Sequence, residues 1–255
     1  MLWYKTWLET RWRFLIGLAL LMCSAAGTVI AYPQVVKLLP LVPRIDLGGE
    51  IGRQVRESAE LSRSFRGYVW SHWFRQDMSQ QWVLFAVLLG TGGLLSHGSR
   101  GGTLFTLSLP ASRNRLLAVR AATGLAELLV LAVVPSLLLP ALAPSIGQSY
   151  ALGDALIHGA CVFIAGSVFF SLAFLLSTVF SDVWRPGLIA LGAAIVLGLL
   201  GQVSPELSRY SVFRILDAET YFRGGGLPWL GLLASAAVSG AALYAAALNL
   251  ARRDF

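Results

Sequence analysis

Glu127 is the one acid well inside an apolar stretch long enough to cross a bilayer, and a carboxylate at that depth is costly enough to imply a task. It can line a polar cavity, relay a proton, or pair with Arg120 seven positions earlier or with a residue of another helix. Its position about two to three turns from the end of the stretch also lets it snorkel toward the interface. The rest of the chemical inventory is thin. His72, His97 and His158 are widely separated, and no paired-His, HExxH or CxxC spacing is present to hold a metal. No serine sits in a GxSxG turn. A phosphate-binding loop needs a lysine after its glycines to reach the nucleotide, and the only lysines, Lys5 and Lys37, lie in no such loop. No catalytic residue, metal ligand or resident cofactor is therefore assigned. Cys23 and Cys161 fall inside apolar stretches and read as packing residues, without a disulfide framework.

The elements that must position these groups are set by composition. Of 255 residues, 56% are hydrophobic and 13% charged, which places the chain among polytopic membrane proteins and predicts an all-α fold. A span needs about 20 mainly apolar residues. Six segments qualify: Phe14–Val36, Trp82–Leu95, Leu117–Leu142, Leu156–Phe180, Pro186–Leu200 and Pro228–Leu250. The second and fifth are short and carry Gly90, Gly92, Gly93, Gly187, Gly192 and Gly198, a composition suited to close helix packing.

Orientation follows from the basic residues of the short loops. Lys5, Arg11, Arg13, Arg100, Arg113, Arg115, Arg120, Arg185, Arg252 and Arg253 share one side, against Arg209, Arg214 and Arg223 on the other. Both termini are thus expected on the cytoplasmic side, and the net charge of +7 reflects topology rather than nucleic-acid binding. A lipoprotein-type signal ending at Cys23 is disfavoured by Met22 before it and by the length of the apolar run.

Between the spans, residues 1–13 read as an interfacial helix, with Trp3 and Trp7 on one face and Lys5, Glu9 and Arg13 on another. Residues 37–81 read as an outer loop in which Leu47, Ile51 and Val55, then Phe65 and Val69, recur at four-residue spacing and predict one amphipathic helix, after which Tyr68, Trp70, Trp73 and Phe74 are expected to anchor in the headgroup layer. Residues 202–227 suggest a short interfacial or re-entrant helix followed by a turn at Gly224–Gly226. Pro33, Pro135 and Pro140 are expected to kink their helices or mark their outer ends. The loop of residues 96–116 contains no acid and combines Arg100, Arg113 and Arg115 with an apolar ridge at Leu104, Leu107 and Leu109. A merely solvated linker would not need that ridge, so a soluble partner is expected there.

The same loop, GTLFTLSLPASRNRLLAVR, resembles the GTL, LP and SR pattern of type-2 ABC exporter permeases, and the closing ALNLARRDF resembles their short basic tail. The layout of spans and loops resembles that family over essentially the whole chain. The resemblance implies a single transmembrane permease domain whose loop of residues 96–116 is a coupling helix seated on a separate cytoplasmic ABC ATPase. ATP and magnesium would then bind to that partner, and the permease would work beside a second, identical or related, permease copy in membrane lipid. Carried over by residue, Gly102, Thr103 and Leu104 start the coupling element, Leu107, Leu109 and Pro110 shape its apolar contact, and Ser112 and Arg113 cap and anchor its exit. Many relatives place a glutamate shortly before the GTL, where this chain has Gly98, Ser99, Arg100 and Gly101. The family also implies that spans two and five line the route between the two copies. Two readings from other classes stand beside this one: a membrane-embedded enzyme or proton-coupled carrier using Glu127, and a regulatory membrane subunit.

Overall fold

The protein is described here by a computed structural model covering residues 2–40, 49–91, 113–180, 182, 184–203 and 211–252. Apolar chains in a bilayer satisfy their backbone hydrogen bonds within each segment by forming helices, and no strand occurs among the described residues. The helices are α1 (Leu2–Leu38), α2 (Gly49–Leu61), α3 (Phe65–Tyr68), a π-helical stretch (Val69–Met78), α4 (Ser79–Gly90), α5 (Arg113–Leu142), α6 (Leu152–Val179), α7 (Trp184–Val203), α8 (Val212–Leu216), α9 (Glu219–Phe222) and α10 (Trp229–Ala251). Five stretches are long and apolar enough to cross a membrane, namely Leu2–Leu38, Asn114–Ile146, Leu152–Val179, Trp184–Gly201 and Trp229–Ala251. The chain is thus a multi-pass helical membrane protein.

α6 is the axis of the bundle and packs against α4, α5, α7, α8 and α10. Close approach to it depends on missing side chains. A Cβ on Gly166 of α6 would lie 2.0 Å from the Trp82 ring of α4, and one on Gly90 of α4 would lie 2.6 Å from the Phe170 carbonyl oxygen of α6. Trp82, Phe169, Phe170 and Phe174 fill the space so created and are almost wholly buried.

Polar ties show which helix ends meet. Arg13 of α1 reaches Thr91 at the end of α4, Arg120 of α5 reaches Glu9 of α1, and Asn249 of α10 reaches Thr178 of α6. The start of α1, the end of α4, the start of α5 and the ends of α6 and α10 therefore gather at one end of the bundle. At the other end Asp154, beside the start of α6, meets Arg66 of α3 and Tyr221 of α9.

Residues 2–13, where an interfacial helix is expected, form the first turns of α1, which runs unbroken from Leu2 to Leu38, and Glu9, Thr10 and Arg13 make polar contacts with the bundle. Two expectations are corrected. The outer loop expected to end at residue 81 is helical from Phe65 onward, and its aromatic residues are buried within the chain. Trp70, Trp73 and Phe74 are at most 1% exposed, with Trp70 stacked on Phe222 of α9 and Phe74 on His158 of α6. Cys23 faces outward rather than packing, whereas Cys161 is buried.

The amphipathic helix of the long connection is present as α2, and the connection after α7 contains the two short helices α8 and α9 before Gly224 and Gly226 turn the chain at positive φ. Phe213 of α8 packs 5.6 Å from Phe169, well inside α6, so α8 dips into the bundle instead of lying flat at its end. Pro33, Pro135 and Pro140 all lie within continuous helices.

Candidate functional site

Of the residues expected to couple to a partner, Gly102, Thr103, Leu104, Leu107, Leu109, Pro110 and Ser112 lie outside the described residues, and Arg113 is the first residue of α5. What can be followed is how the two roots of this loop are held. At the outgoing root, Arg13 Nη1 donates to the carbonyl oxygens of Leu88 at 2.8 Å and Thr91 at 3.1 Å. A guanidinium there supplies donors to carbonyls that a helix end leaves without partners, and its charge complements the negative end of the helix dipole. At the returning root, Arg120 Nη1 donates to Glu9 Oε2 at 3.2 Å, and Thr10 Oγ1 donates to Glu127 Oε1 at 2.5 Å. Glu9, Thr10 and Arg13 of α1 therefore tie the end of α4 and the first half of α5 to one helix.

Glu127 is only 5% exposed. The structure brings it to another helix: its hydrogen-bond donor is Thr10, while Arg120 spends its bond on Glu9. Glu127 Oε2 has no hydrogen-bond partner among the described residues. Among those residues, no group of three His, Cys, Asp or Glu side chains converges as a metal site.

A second polar region lies along the second pass of the chain through the bundle. On the helix Phe65–Gly90, Arg75, Gln76 and Gln80 are exposed, and Asp77 Oδ2 accepts a hydrogen bond from Ser24 of α1 at 2.8 Å. Ser24 lies about 16 Å beyond Arg13 along α1 at the usual helical rise, roughly half the thickness of a hydrocarbon core. Lipid tails offer these amides no hydrogen-bond partners. The same helix buries Trp73 Nε1, Gln81 Oε1 and Trp82 Nε1 without partners among the described residues. This face was illegible in the sequence because residues 37–81 read as a loop. Arg75 and Gln76 lie in the π-helical stretch and Gln80 at the start of α4, with Gln76 and Gln80 four positions apart.

The two short glycine-bearing spans differ in what they present. In α4, Trp82, Val83, Phe85, Ala86, Val87 and Leu89 are buried within the chain, and Gly90 packs on α6, so this glycine serves intrachain packing. Gly92 and Gly93 lie outside the described residues. In α7, Leu188, Ile195 and Leu199 are 66%, 63% and 54% exposed, and Gly192 faces open space.

The far end of the bundle is tied by groups that sequence spacing did not single out. Asp154 accepts from Arg66 Nε at 2.9 Å and from the Tyr221 hydroxyl at 2.7 Å. The Trp70 indole stacks on Phe222 at 4.2 Å and donates to the Asp217 carbonyl oxygen at 2.9 Å. Burial pushes the Asp217 carboxyl up to about 7. Burial pushes Glu219 the same way, but the Arg214 hydrogen bond and the Arg214, Arg223 and Arg75 charges outweigh it and hold Glu219 below its ordinary value. The polar contacts of Asp154 and Trp70 join residues 67 to 147 positions apart, which no local pattern announces, whereas Glu219 and Arg223 form a four-apart pair.

Comparison with known protein families, with curated proteins and with solved structures gives no match. The functional reading therefore rests on the residues and on their arrangement.

Proposed function

We propose that this chain is the transmembrane permease subunit of an ATP-driven exporter of the type-2 ABC kind, crossing a bacterial inner membrane six times with both termini in the cytoplasm. In this reading the helix Phe65–Gly90 is the sixth crossing element, the first turns of α1 lie at the cytoplasmic interface, and two permease copies enclose the substrate route. The motor is a separate ATPase seated on residues 96–116, which carries ATP and magnesium. The permease itself performs no catalysis.

The observation that carries the reading is the exposed pair Gln76 and Gln80, near the depth of Ser24, on a helix that packs against α1, α6 and α7. Polar groups at that depth belong against a water-filled path or another protein surface, not against lipid. The exposed apolar face of α7 supplies the neighbouring surface on which a second copy would close. The ties from α1 to the end of α4 and the first half of α5 support the coupling role, since a push on the basic loop would be passed to α1, α4 and α5 together.

The test is co-purification of the chain with a candidate ATPase in lipid nanodiscs, comparing complex yield and ATP turnover for wild type, Leu104→Asp/Leu107→Asp and Glu127→Gln. The expected result is loss of the complex in the double variant and its retention in Glu127→Gln. Loss of function in Glu127→Gln alone, with the loop variant unaffected, favours the carrier or enzyme reading.

A further inference from the structure

A cleft of about 930 Å³ opens sideways between α6, α8 and α10. Val168, Ile215, Leu230, Ala234 and Val238 make its walls apolar, and Arg214 stands among them. It runs along α10 from Trp229 to Val238, about 13 Å at the helical rise, and it is not covered: Trp229, Leu230 and Val238 are 64%, 87% and 54% exposed. On a helix that crosses a bilayer, an apolar hollow open to the side faces acyl chains. A long hollow of this size is in the range that holds a small amphiphile.

The charge at its lip is not matched one to one. Glu219 is shared between Arg214 Nε and Arg223 Nε, the latter at 2.8 Å. Arg223 also approaches Glu57 at 3.8 Å, but both side chains are more than half exposed, and such a pair is worth little in water. Asp217 stands beside Glu219, but burial pushes its carboxyl up to about 7, so below that pH it adds no full charge and Arg214 and Arg223 leave a cationic surplus at the cleft, with Thr220 also lining it. An apolar trough below a guanidinium is complementary to an acidic amphiphile, with the phosphate on the cation and the chain in the trough.

We propose that this cleft binds an acidic phospholipid from the surrounding bilayer, its phosphate on Arg214 and one acyl chain lying along α10 between Leu230 and Val238. The site requires only that the chain crosses a membrane, and it stands whether or not the chain is a permease.

The experiment uses the full chain reconstituted in vesicles of phosphatidylcholine containing a minor fraction of phosphatidylglycerol, re-extracted, and read by native mass spectrometry for bound lipid. Wild type should retain phosphatidylglycerol over phosphatidylcholine by roughly tenfold, the ratio expected for one charge-assisted contact. Arg214→Gln should bring the ratio to about one, and Arg214→Lys should keep part of it. Ala234→Phe fills the trough without touching the Glu219 pairs and should lower retention of both lipids while the unfolding temperature holds. Equal retention of the two lipids by wild type, or unchanged retention in Ala234→Phe, overturns the proposal. It is also overturned if Ala234→Phe alters the oligomeric state and not the lipid content, for then a second copy covers the cleft. None of these readouts involves an ATPase, so failure here is separate from failure of the permease reading.

Discussion

Thr10 and Glu127 stand 117 positions apart in the chain, and the threonine hydroxyl donates to the buried carboxylate at 2.5 Å, fastening the first turns of α1 to α5. Removing the hydroxyl without removing the acid leaves a buried carboxylate oxygen with nothing to satisfy it. Thr10→Val is therefore expected to destabilise the bundle by about 1–3 kcal/mol, whereas Glu127→Gln keeps an acceptor for Thr10 and should cost less. Thermal unfolding of the two variants in detergent decides the point, and the reverse order of stabilities would show that the charge of Glu127, not its hydrogen bond, is what matters.

Gly166 has no room for a side chain, since any Cβ would collide with the Trp82 ring. Gly166→Leu must displace a fully buried indole and should cost at least about 1–3 kcal/mol through overpacking. Gly192 of α7 faces open space, and Gly192→Ala should be tolerated or slightly stabilising through helix propensity. Expression yield and unfolding temperature of the pair provide the comparison, and equal behaviour would contradict the packing described here.

Asp217 makes the far end of the bundle sensitive to pH. Burial lifts its folded-state value to about 7 from an ordinary 3.8, with Glu219 pushing the same way and the backbone hydrogen bond, Arg75 and Arg214 opposing. The folded state thus holds a proton that the unfolded state releases. The stability this contributes is fully present below the unfolded value and is lost as pH rises through about 7. Glu219, held low, acts in the opposite direction only below its ordinary value, outside that window. Hydrogen exchange of residues 211–223 should accelerate between about pH 5 and about pH 8 beyond the intrinsic chemical rate, and Asp217→Asn should remove that excess. An excess that persists in Asp217→Asn would place the titrating group elsewhere.

The exposed strip on the second pass predicts contact across two copies. In a background where Cys23 and Cys161 are replaced, Gln80→Cys should form an intermolecular disulfide on mild oxidation, whereas Val83→Cys, which is buried within the chain, should not. Cross-linking of neither variant would mean that the strip faces water within one chain.

What the sequence by itself determined is the membrane class, the helical fold and most of the long helices. A bilayer leaves no other way to satisfy the backbone of a 20-residue apolar run, so composition alone decides. The amphipathic α2 and the short helices after α7 were legible for a related reason, because four-residue periodicity is a local property. The tertiary structure decided everything that depends on which helix faces which. Tyr68 to Phe74 looked like headgroup anchors because aromatic residues suit an interface and a core equally, and only the tertiary contacts, such as Trp70 on Phe222 and Phe74 on His158, show them buried within the chain. The partner of Glu127 is Thr10 and not the nearby Arg120, since helix packing, rather than distance along the chain, sets which buried groups meet. The polar pair Gln76 and Gln80 was missed because residues 37–81 read as a loop, and only the packed bundle decides that this segment is helical and which of its side chains stay exposed.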